Sequence, residues 1–239
     1  MAVGQGRPAV LLVDLQYDFF DVRIAPIGGI QKAACLPGVR QLLSFARQND
    51  WPVIHVVTEH TSSETLPHHL KTKGIEIYCK AGTAGAGIVR GLFSDGDKII
   101  TKQGYSGFGR TNLDDVLNDA PQLILAGIAT DCCVHYTAFD AACAHGKRVY
   151  VPFQATSAST AEAYVSSLKA VWKSLGSVFD LAELPEKRLE DVSDPDWKAI
   201  EDWSKETAKV AEESGEEYES LLAQDPDSAL TLFAARLHS

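Results

Sequence analysis

Residues 122–146 read QLILAGIATDCCVHYTAFDAACAHG, and this stretch decides the fold. It begins with an uninterrupted apolar run, which is typical of a strand buried on both faces of a sheet. From Cys132 to His145 the pattern is helical, and Gly146 ends it as a helix C-cap does. A strand followed directly by a helix predicts a parallel sheet with crossover helices.

The same alternation occupies the rest of the first 182 residues. Five more buried strands are predicted at residues 9–15, 52–58, 98–102, 148–153 and 177–182. Helices are predicted at residues 37–49, 111–118 and after a capping box formed by Ser159 and Glu162. Residues 59–88 show neither strand nor helix periodicity, and they are predicted to be a long connection over the active edge of the sheet. The fold class is therefore α/β, with a mostly parallel sheet between helices.

The charge distribution divides the chain in two. The 239 residues include 32 acidic and 22 basic side chains, a net charge of -10. Residues 183–239 hold 16 of the acids and 6 of the bases, so the net charge lies in this part and residues 1–182 are neutral. We predict a catalytic or binding domain over 1–182 and an acidic helical extension over 183–239. In the extension, Asp194 is predicted to cap one helix, and residues 227–237 form another.

The composition also limits the partners and the compartment. Negative charge makes nucleic acid and anionic membranes poor partners, so small molecules and proteins remain, and a small-molecule substrate is predicted. No run approaches the length of a membrane span, and the first residues lack a secretory signal pattern. Five cysteines without framework spacing indicate a reducing compartment, so a cytoplasmic location is predicted.

Three reactive side chains follow predicted strands at the same edge of the sheet. Asp14 follows the first strand, Lys102 ends the third, and Cys133 begins the helix after the fourth. A helix N-terminus and a nearby ammonium both lower the pKa of a thiol, so a Cys133 thiolate is expected near neutral pH. A carboxylate within reach can take the thiol proton and pass it to a leaving amine. This trio predicts acyl transfer through a thioester to water.

Three motifs carry a resemblance to a known family. They are VDLQYDF at 13–19, TKQGYSGF at 101–108 and GIATDCCVHYTAFDAACAHG at 127–146, and AGTAGAGIV at 81–89 is similar to a fourth landmark. Residues 9–182 thus resemble the isochorismatase-like cysteine hydrolases, which include nicotinamidases, N-carbamoylsarcosine amidases and ureidoacrylate amidases. The resemblance implies a three-layer α/β/α fold with a six-stranded, mostly parallel sheet and an Asp, Lys, Cys triad.

The resemblance also implies roles for individual residues. Asp14 is the expected general base, Lys102 its charge partner and Cys133 the nucleophile. The peptide between Ile128 and Ala129 is expected to be cis, and the backbone N–H groups of Ala129 and Cys133 are expected to form an oxyanion hole.

By the same matching, four residues are expected to border the substrate: Gln16, Phe19, Tyr105 and Ile128. Core packing is an equally good explanation for the two aromatic rings. Cys132 is expected to be pocket wall, because neighbouring helical side chains point about 100° apart.

The expected reaction is hydrolysis of a C–N bond in a small amide, carbamoyl or ureido compound. No cofactor and no metal are predicted, because the Asp-x-His pair of nicotinamidase metal sites is replaced by Thr58, Glu59 and His60. His60, His68 and His69 are expected to be solvated loop histidines rather than ligands. The substrate is not fixed, although Arg23 and Arg110 are candidates to bind a carboxylate.

Two alternatives remain open at this point. An isochorismatase cleaves a vinyl ether to pyruvate and a dihydroxy-cyclohexadiene carboxylate, and it does not need the Cys133 thiol. A non-catalytic interaction protein would instead use the acidic extension to bind a partner. Relatives also suggest a homo-oligomer, a dimer or a tetramer, whose number of subunits the sequence does not determine.

Overall fold

The computed structural model describes residues 6–24, 28–117 and 120–237, and its centre is a parallel sheet. Its inner strands are apolar runs buried on both faces, as the sequence predicts. In chain order the strands are β1 (Ala9–Val13), β2 (Val53–Thr58), β3 (Lys98–Lys102), β4 (Gln122–Ile128), β5 (Arg148–Pro152), β6 (Thr156–Ser157) and β7 (Gly176–Phe179). The six predicted strands are all present. The two-residue β6, too short for a periodic signal, makes the sheet seven-stranded rather than six-stranded.

The order of the strands places a site at the middle of the sheet. The order is β3-β2-β1-β4-β5-β7, with β6 paired to β4, and every one of these ladders is parallel. The chain runs outward from β1 to β3 and then returns to β4 on the other side of β1. Ligands bind beyond the carboxyl ends of the strands at such a switch point. Val13 pairs with Val56 and Gly127, and Thr58 pairs with Lys102, which brings the four strand ends together.

Helices cover both faces of the sheet and complete the predicted three layers. Val10 and Leu12 pack in one apolar core with α1, α6 and α7, whereas Ala9, Leu11 and Val13 pack in a second core with α3, α4 and α5. The helices are α1 (Leu36–Gln48), α2 (His68–Thr72), α3 (Leu113–Leu117), α4 (Cys133–Phe139), α5 (Ala161–Ser174), α6 (Trp197–Leu222) and α7 (Pro226–Arg236). The helix predicted over 132–145 changes to a π-helical turn after α4.

Two predicted helix starts are wrong by one or two residues. Thr160, not Ser159, caps α5, and its hydroxyl accepts from the N–H of Ala163 at 3.1 Å. Asp196, not Asp194, caps α6. Each segment offers two cap-forming residues close together in the sequence, and for α6 a distant contact engages the one that does not cap: Asp194 accepts from the indole of Trp172 at 3.3 Å.

The acidic extension packs on the body of the protein. Tyr218 of α6 donates to the carbonyl of Phe20 at 3.0 Å, and Tyr17 donates to Asp227 of α7 at 2.7 Å. Both helices also contact the 3-10 segment Ile30–Cys35. The extension therefore supports two segments that precede α1. Within the described ranges, no helix combines the length and the apolarity that a membrane span requires.

Candidate active site

The three reactive side chains singled out in the sequence lie together at the carboxyl edge of the sheet. Lys102 Nζ donates to Asp14 Oδ2 at 2.8 Å and contacts Cys133 Sγ at 3.5 Å. The side chains of Asp14 and Lys102 have no solvent exposure, and Cys133 is 7% exposed. The end of β1, the end of β3 and the start of α4 thus form one buried cluster. It contains an acid, an amine and a thiol.

Thr58 completes the hydrogen bonding of this cluster. Its hydroxyl donates to Asp14 Oδ1 at 2.8 Å and accepts from Lys102 Nζ at 2.7 Å. The carbonyl of Gly104 is a further acceptor for Lys102, at 3.1 Å. These contacts offset the cost of burying two opposite charges. Sequence reasoning missed Thr58, although it ends β2 at the same sheet edge where Lys102 ends β3.

Two backbone conformations allow β1 and β4 to present the cluster. Asp14 is in the left-handed region with φ 53°, which Asp tolerates better than most residues, and its N–H donates to the carbonyl of Val56 at 2.8 Å. Gly127 has φ +105°, and a Cβ there would lie 2.1 Å from the carbonyl oxygen of Val13. The close approach of the two strands therefore requires glycine at this position.

The turn between β4 and α4 contains the expected oxyanion-hole residues. The peptide between Ile128 and Ala129 is cis, as the family resemblance implies. The carbonyl of Ala129 accepts from the N–H groups of Cys132 and Val134 at 2.9 and 3.1 Å. Cys133 is the first residue of α4, where helical geometry supplies no acceptor for the N–H group. Its N–H is thus suited to receive an oxyanion.

Thr137 joins α4 to the loop that contains Tyr105. Its hydroxyl donates to the carbonyl of Cys133 at 2.6 Å and accepts from the N–H of Gly107 at 2.9 Å. In the same loop the hydroxyl of Tyr105 lies 2.5 Å from Nε2 of His69. These contacts connect the loop of Tyr105 to α2 and to α4.

The electrostatics of the cluster differ from the sequence-based expectation. Interaction with the Cys132 thiol, burial and the Asp14 carboxylate raise the pKa of Cys133 well above its usual range, and Lys102 lowers it only in part. Burial alone lowers the pKa of Lys102, but Asp14 and Cys133 outweigh burial and hold it above its ordinary value. Burial and these neighbours therefore oppose the thiolate that the sequence predicts, and the helix N-terminus and the ammonium favour it.

A cavity of about 190 Å³ opens beside the cluster, and Cys133 lies in its wall. Phe19 and Tyr105, two of the expected substrate-bordering residues, line this cavity. Cys132 also lines it, which agrees with its expected position as pocket wall. Two adjacent cysteines thus share the cavity, and of these two it is Cys133 whose Sγ contacts Lys102 Nζ, at 3.5 Å.

The other two expected substrate-bordering residues do not line the cavity. Gln16 is fully buried: its Nε2 donates to the carbonyls of Thr58 and Ala86 at 2.8 and 2.7 Å, and its Oε1 accepts from the N–H of Thr58 at 2.7 Å. Ile128 has no exposure and belongs to an apolar core. For these residues the expectation is corrected, because Gln16 ties a loop to β2 and Ile128 packs inside the protein.

Sequence reasoning missed several residues that line the cavity. Besides Thr58 they include Lys32, Tyr78, Asp131 and Ser159. Lys32 gives no signal in the sequence, because lysine is normally solvated and its segment has no clear period. Neither arginine proposed for a carboxylate lines this cavity, and Arg23 pairs with Asp21 at 2.6 Å instead.

The histidines do not form a metal site in the described part of the chain, where no three candidate ligands come together. His68 and His69 are exposed, as expected, but they lie in the short helix α2 rather than in a loop. His60 is not, because its ring is fully buried and packs edge-on against Tyr78 with a centroid distance of 5.0 Å. Burial and the charge of Lys102 lower the pKa of His60, which favours the neutral ring.

The fold and the cluster define an α/β/α protein with a buried Asp, Lys and Cys at a topological switch point. The chain belongs to the isochorismatase family, whose domain model matches residues 8–183. Helices α6 and α7 lie beyond the matched residues.

Individual relatives support this assignment. An Arabidopsis thaliana protein described as a "probable inactive nicotinamidase" is 31% identical over 178 residues, covering 70% of this chain and 89% of that protein. The crystal structure of an isochorismatase family protein from Desulfovibrio vulgaris has a TM-score of 0.69 and 28% identity, covering 76% of this chain and 98% of that chain. N-carbamoylsarcosine amidase from Thermoplasma acidophilum has a TM-score of 0.62 and 23% identity, covering 73% of this chain and 96% of that chain. This likeness concerns the fold.

Proposed function

We propose that this protein is a cysteine hydrolase that cleaves the C–N bond of a small amide, carbamoyl or ureido compound through a Cys133 thioester. The observation that carries the proposal is the contact of Lys102 Nζ with both Asp14, at 2.8 Å, and Cys133, at 3.5 Å, beside an open cavity. Packing alone gives no reason to bury a charged pair against a thiol, because burying charges is costly.

The first half-reaction begins with the neutral thiol. Asp14 accepts the proton of Cys133 as the sulfur attacks the substrate carbonyl carbon, and Lys102 keeps the carboxylate in place and offsets the charge on sulfur. The carbonyl electrons move to oxygen, which the N–H groups of Ala129 and Cys133 stabilise. When the C–N bond breaks, Asp14 returns the proton to nitrogen, and ammonia or an amine leaves.

The second half-reaction restores the thiol. Water attacks the thioester carbonyl while Asp14 takes one of its protons. The tetrahedral intermediate then releases the Cys133 sulfur, which regains a proton, and the acid product leaves. The sum is one amide and one water converted to one acid and one amine. The raised pKa of Cys133 fits this sequence, because the thiol is deprotonated only as the S–C bond forms.

The comparisons support the class of reaction and leave the substrate open. One structural neighbour is named an N-carbamoylsarcosine amidase, so a carbamoyl compound is a reasonable substrate. The description of the Arabidopsis relative as inactive concerns that protein. In this chain the acid, amine and thiol are all present and in contact, which favours activity.

The proposal is tested by measuring ammonia release from a panel containing nicotinamide, biuret, ureidoacrylate and N-carbamoyl amino acids. Cys133→Ala is expected to lower kcat by at least about 10³-fold, because a nucleophile acts as a unit with its partners. Cys132→Ala is the matched control and is expected to retain turnover. Intact-protein mass spectrometry after rapid mixing should detect the acyl-enzyme. Full activity in Cys133→Ala, or pyruvate release without an adduct, would refute the thioester mechanism.

A further inference from the structure

One buried tyrosine in the wall of the active-site cavity has a hydroxyl that packing does not explain. Tyr78 is 4% exposed and lines the cavity beside Cys133. Its ring packs edge-on against Phe19 and His60, with centroid distances of 5.7 and 5.0 Å. A phenylalanine ring would make the same packing contacts, so the hydroxyl needs a separate explanation.

The other buried tyrosines use their hydroxyl groups inside the protein. Those of Tyr164 and Tyr218 donate to backbone carbonyls, and that of Tyr150 accepts from a glutamine side chain at 3.5 Å. In the described part of the chain, no group donates to the hydroxyl of Tyr78 or accepts from it. Buried tyrosine hydroxyls usually have a partner, so this one is available to a ligand.

The hydroxyl of Tyr78 is not enclosed by the protein. Two side-chain atoms within the described ranges are both enclosed and without a partner, and they are nitrogens of His60 and His135. The unpartnered hydroxyl of Tyr78 therefore keeps contact with open space, and the open space that this side chain borders is the cavity. A substrate placed for attack by Cys133 occupies the same cavity.

In this cavity the hydroxyl of Tyr78 is a hydrogen-bond donor. Burial raises its pKa, and Cys133 and Asp14 act in the same direction, so the hydroxyl keeps its proton at neutral pH. A protonated phenol donates one hydrogen bond, for which a carbonyl or carboxylate oxygen is the matching acceptor. A ligand that places an apolar group against the hydroxyl leaves this donor unpaired and binds less tightly.

We propose that Tyr78 is a specificity-determining residue whose hydroxyl donates to a substrate oxygen outside the scissile C–N bond. The reacting carbonyl oxygen already has the N–H groups of Ala129 and Cys133, which leaves the hydroxyl of Tyr78 for a second oxygen. The substrate is then an amide, carbamoyl or ureido compound with a further carbonyl or carboxylate group, such as an N-acylurea. This specificity rests on the proposed hydrolase function, whereas the binding of an oxygen acceptor by Tyr78 does not.

The binding role is tested with acetylurea and ethylurea, which differ only in a C=O group that is CH₂ in ethylurea. The Kd of each is measured by ligand-observed NMR in Cys133→Ala, which removes turnover, with and without Tyr78→Phe. Tyr78→Phe is expected to weaken the binding of acetylurea at least about fivefold, the loss of one hydrogen bond, and to leave that of ethylurea unchanged.

The matched control is Tyr150→Phe, which removes a buried hydroxyl from a residue that does not line the cavity. It should change neither Kd. Equal weakening of both ligands by Tyr78→Phe, an acetylurea Kd that does not depend on the hydroxyl, or no detectable binding of acetylurea overturns the acceptor site.

The melting temperature tests the alternative that the hydroxyl of Tyr78 has a structural role. Because no described group binds this hydroxyl, Tyr78→Phe should melt at or above the temperature of the wild type. Tyr164→Phe leaves a buried carbonyl without its donor and should melt at a lower temperature. A decrease in Tyr78→Phe as large as that in Tyr164→Phe overturns the proposal.

The specificity role is then tested by turnover of the same two compounds. Tyr78→Phe should lower the ratio of kcat/KM for acetylurea to that for ethylurea by at least about fivefold, and a general effect on Cys133 cancels in this ratio. Turnover with a ratio that does not depend on Tyr78 overturns the specificity role and leaves the hydrolase proposal standing. Tyr78-dependent binding without turnover of any compound overturns the hydrolase and leaves the acceptor site standing.

Discussion

Replacing Asp14 by asparagine removes one charge from the buried ion pair and keeps the shape of the side chain. The ammonium of Lys102 would then lie in the protein interior beside neutral groups, namely the new amide, the hydroxyl of Thr58 and the carbonyl of Gly104, with no negative charge among them to balance its own. Removing one partner of a fully buried pair costs about 3–5 kcal/mol. For a chain of this size, at about 2–4 °C per kcal/mol, Tm should fall by about 6–20 °C.

The sign of the pH dependence is a sharper test than the size of the loss. In the wild type the pKa of Lys102 is raised, so its stabilising contribution is complete below its unfolded value of about 10.4 and is lost only as pH rises through the folded value. In Asp14→Asn, burial dominates and the pKa of Lys102 falls. The unfolded state then binds more protons than the folded state, so the free energy of unfolding should rise with pH. The difference in the free energy of unfolding between the wild type and Asp14→Asn should therefore become smaller from about pH 6 to about pH 9.

The assay is urea unfolding followed by tryptophan fluorescence at a series of pH values. The double variant Asp14→Asn with Lys102→Met removes both charges, and it should be less destabilised than the sum of the two single variants by at least about 1.5 kcal/mol. Additive losses would show that the two side chains do not act as a buried pair. If the loss of unfolding free energy in Asp14→Asn is the same at every pH, the inference that Asp14 holds Lys102 in its charged form is refuted.

Three further predictions concern other parts of the structure. Tyr218→Phe removes the hydroxyl that binds the carbonyl of Phe20, and a buried acceptor left without its donor should cost about 1–3 kcal/mol in urea unfolding. Gly127→Ala places a Cβ 2.1 Å from a carbonyl oxygen at a positive φ, and it should destabilise the protein by at least about 3 kcal/mol in the same assay. Because the pKa of Cys133 is raised, its rate of labelling by iodoacetamide should still be rising at about pH 9.

Each of these has a control within the chain. Tyr136→Phe alters an exposed tyrosine and should change stability by less than about 0.5 kcal/mol. Gly215→Ala lies in α6 with open space around it and should stabilise the protein by up to about 1 kcal/mol. If both glycine variants behave alike, the close approach of β1 and β4 is not the cause. A labelling rate that levels off near pH 7 would mean that Cys133 is a thiolate at rest, as the sequence suggested.

The alternation of strands and helices was predictable because it depends on local pattern. Strands buried on both faces appear as continuous apolar runs, as β4 does, and the ends of β3 and β4 agree with the predicted boundaries to the residue. The predicted burial of β3 is wrong, because β3 lies at the edge of the sheet and three of its five residues are exposed. Asp14, Lys102 and Cys133 could be placed at one sheet edge because the carboxyl ends of parallel strands lie together. The caps of α5 and α6 were less certain, because each segment has two residues able to cap within three positions, and for α6 the unused one, Asp194, contacts the distant Trp172.

The sequence by itself determined the α/β/α architecture, the family and the meeting of an acid, an amine and a thiol. These features follow from the periodicity of apolar residues and from the parallel direction of the strands, which the sequence pattern predicts. Only the tertiary structure shows which groups surround that thiol, where burial and the neighbouring Cys132 and Asp14 raise its pKa and Lys102 lowers it. The tertiary structure also shows that Gln16, expected to border the substrate, is buried and binds the carbonyl of Thr58, and that Lys32 lines the cavity. Burial and contacts between distant residues leave no periodic pattern in the sequence, so they could not be predicted from neighbouring residues.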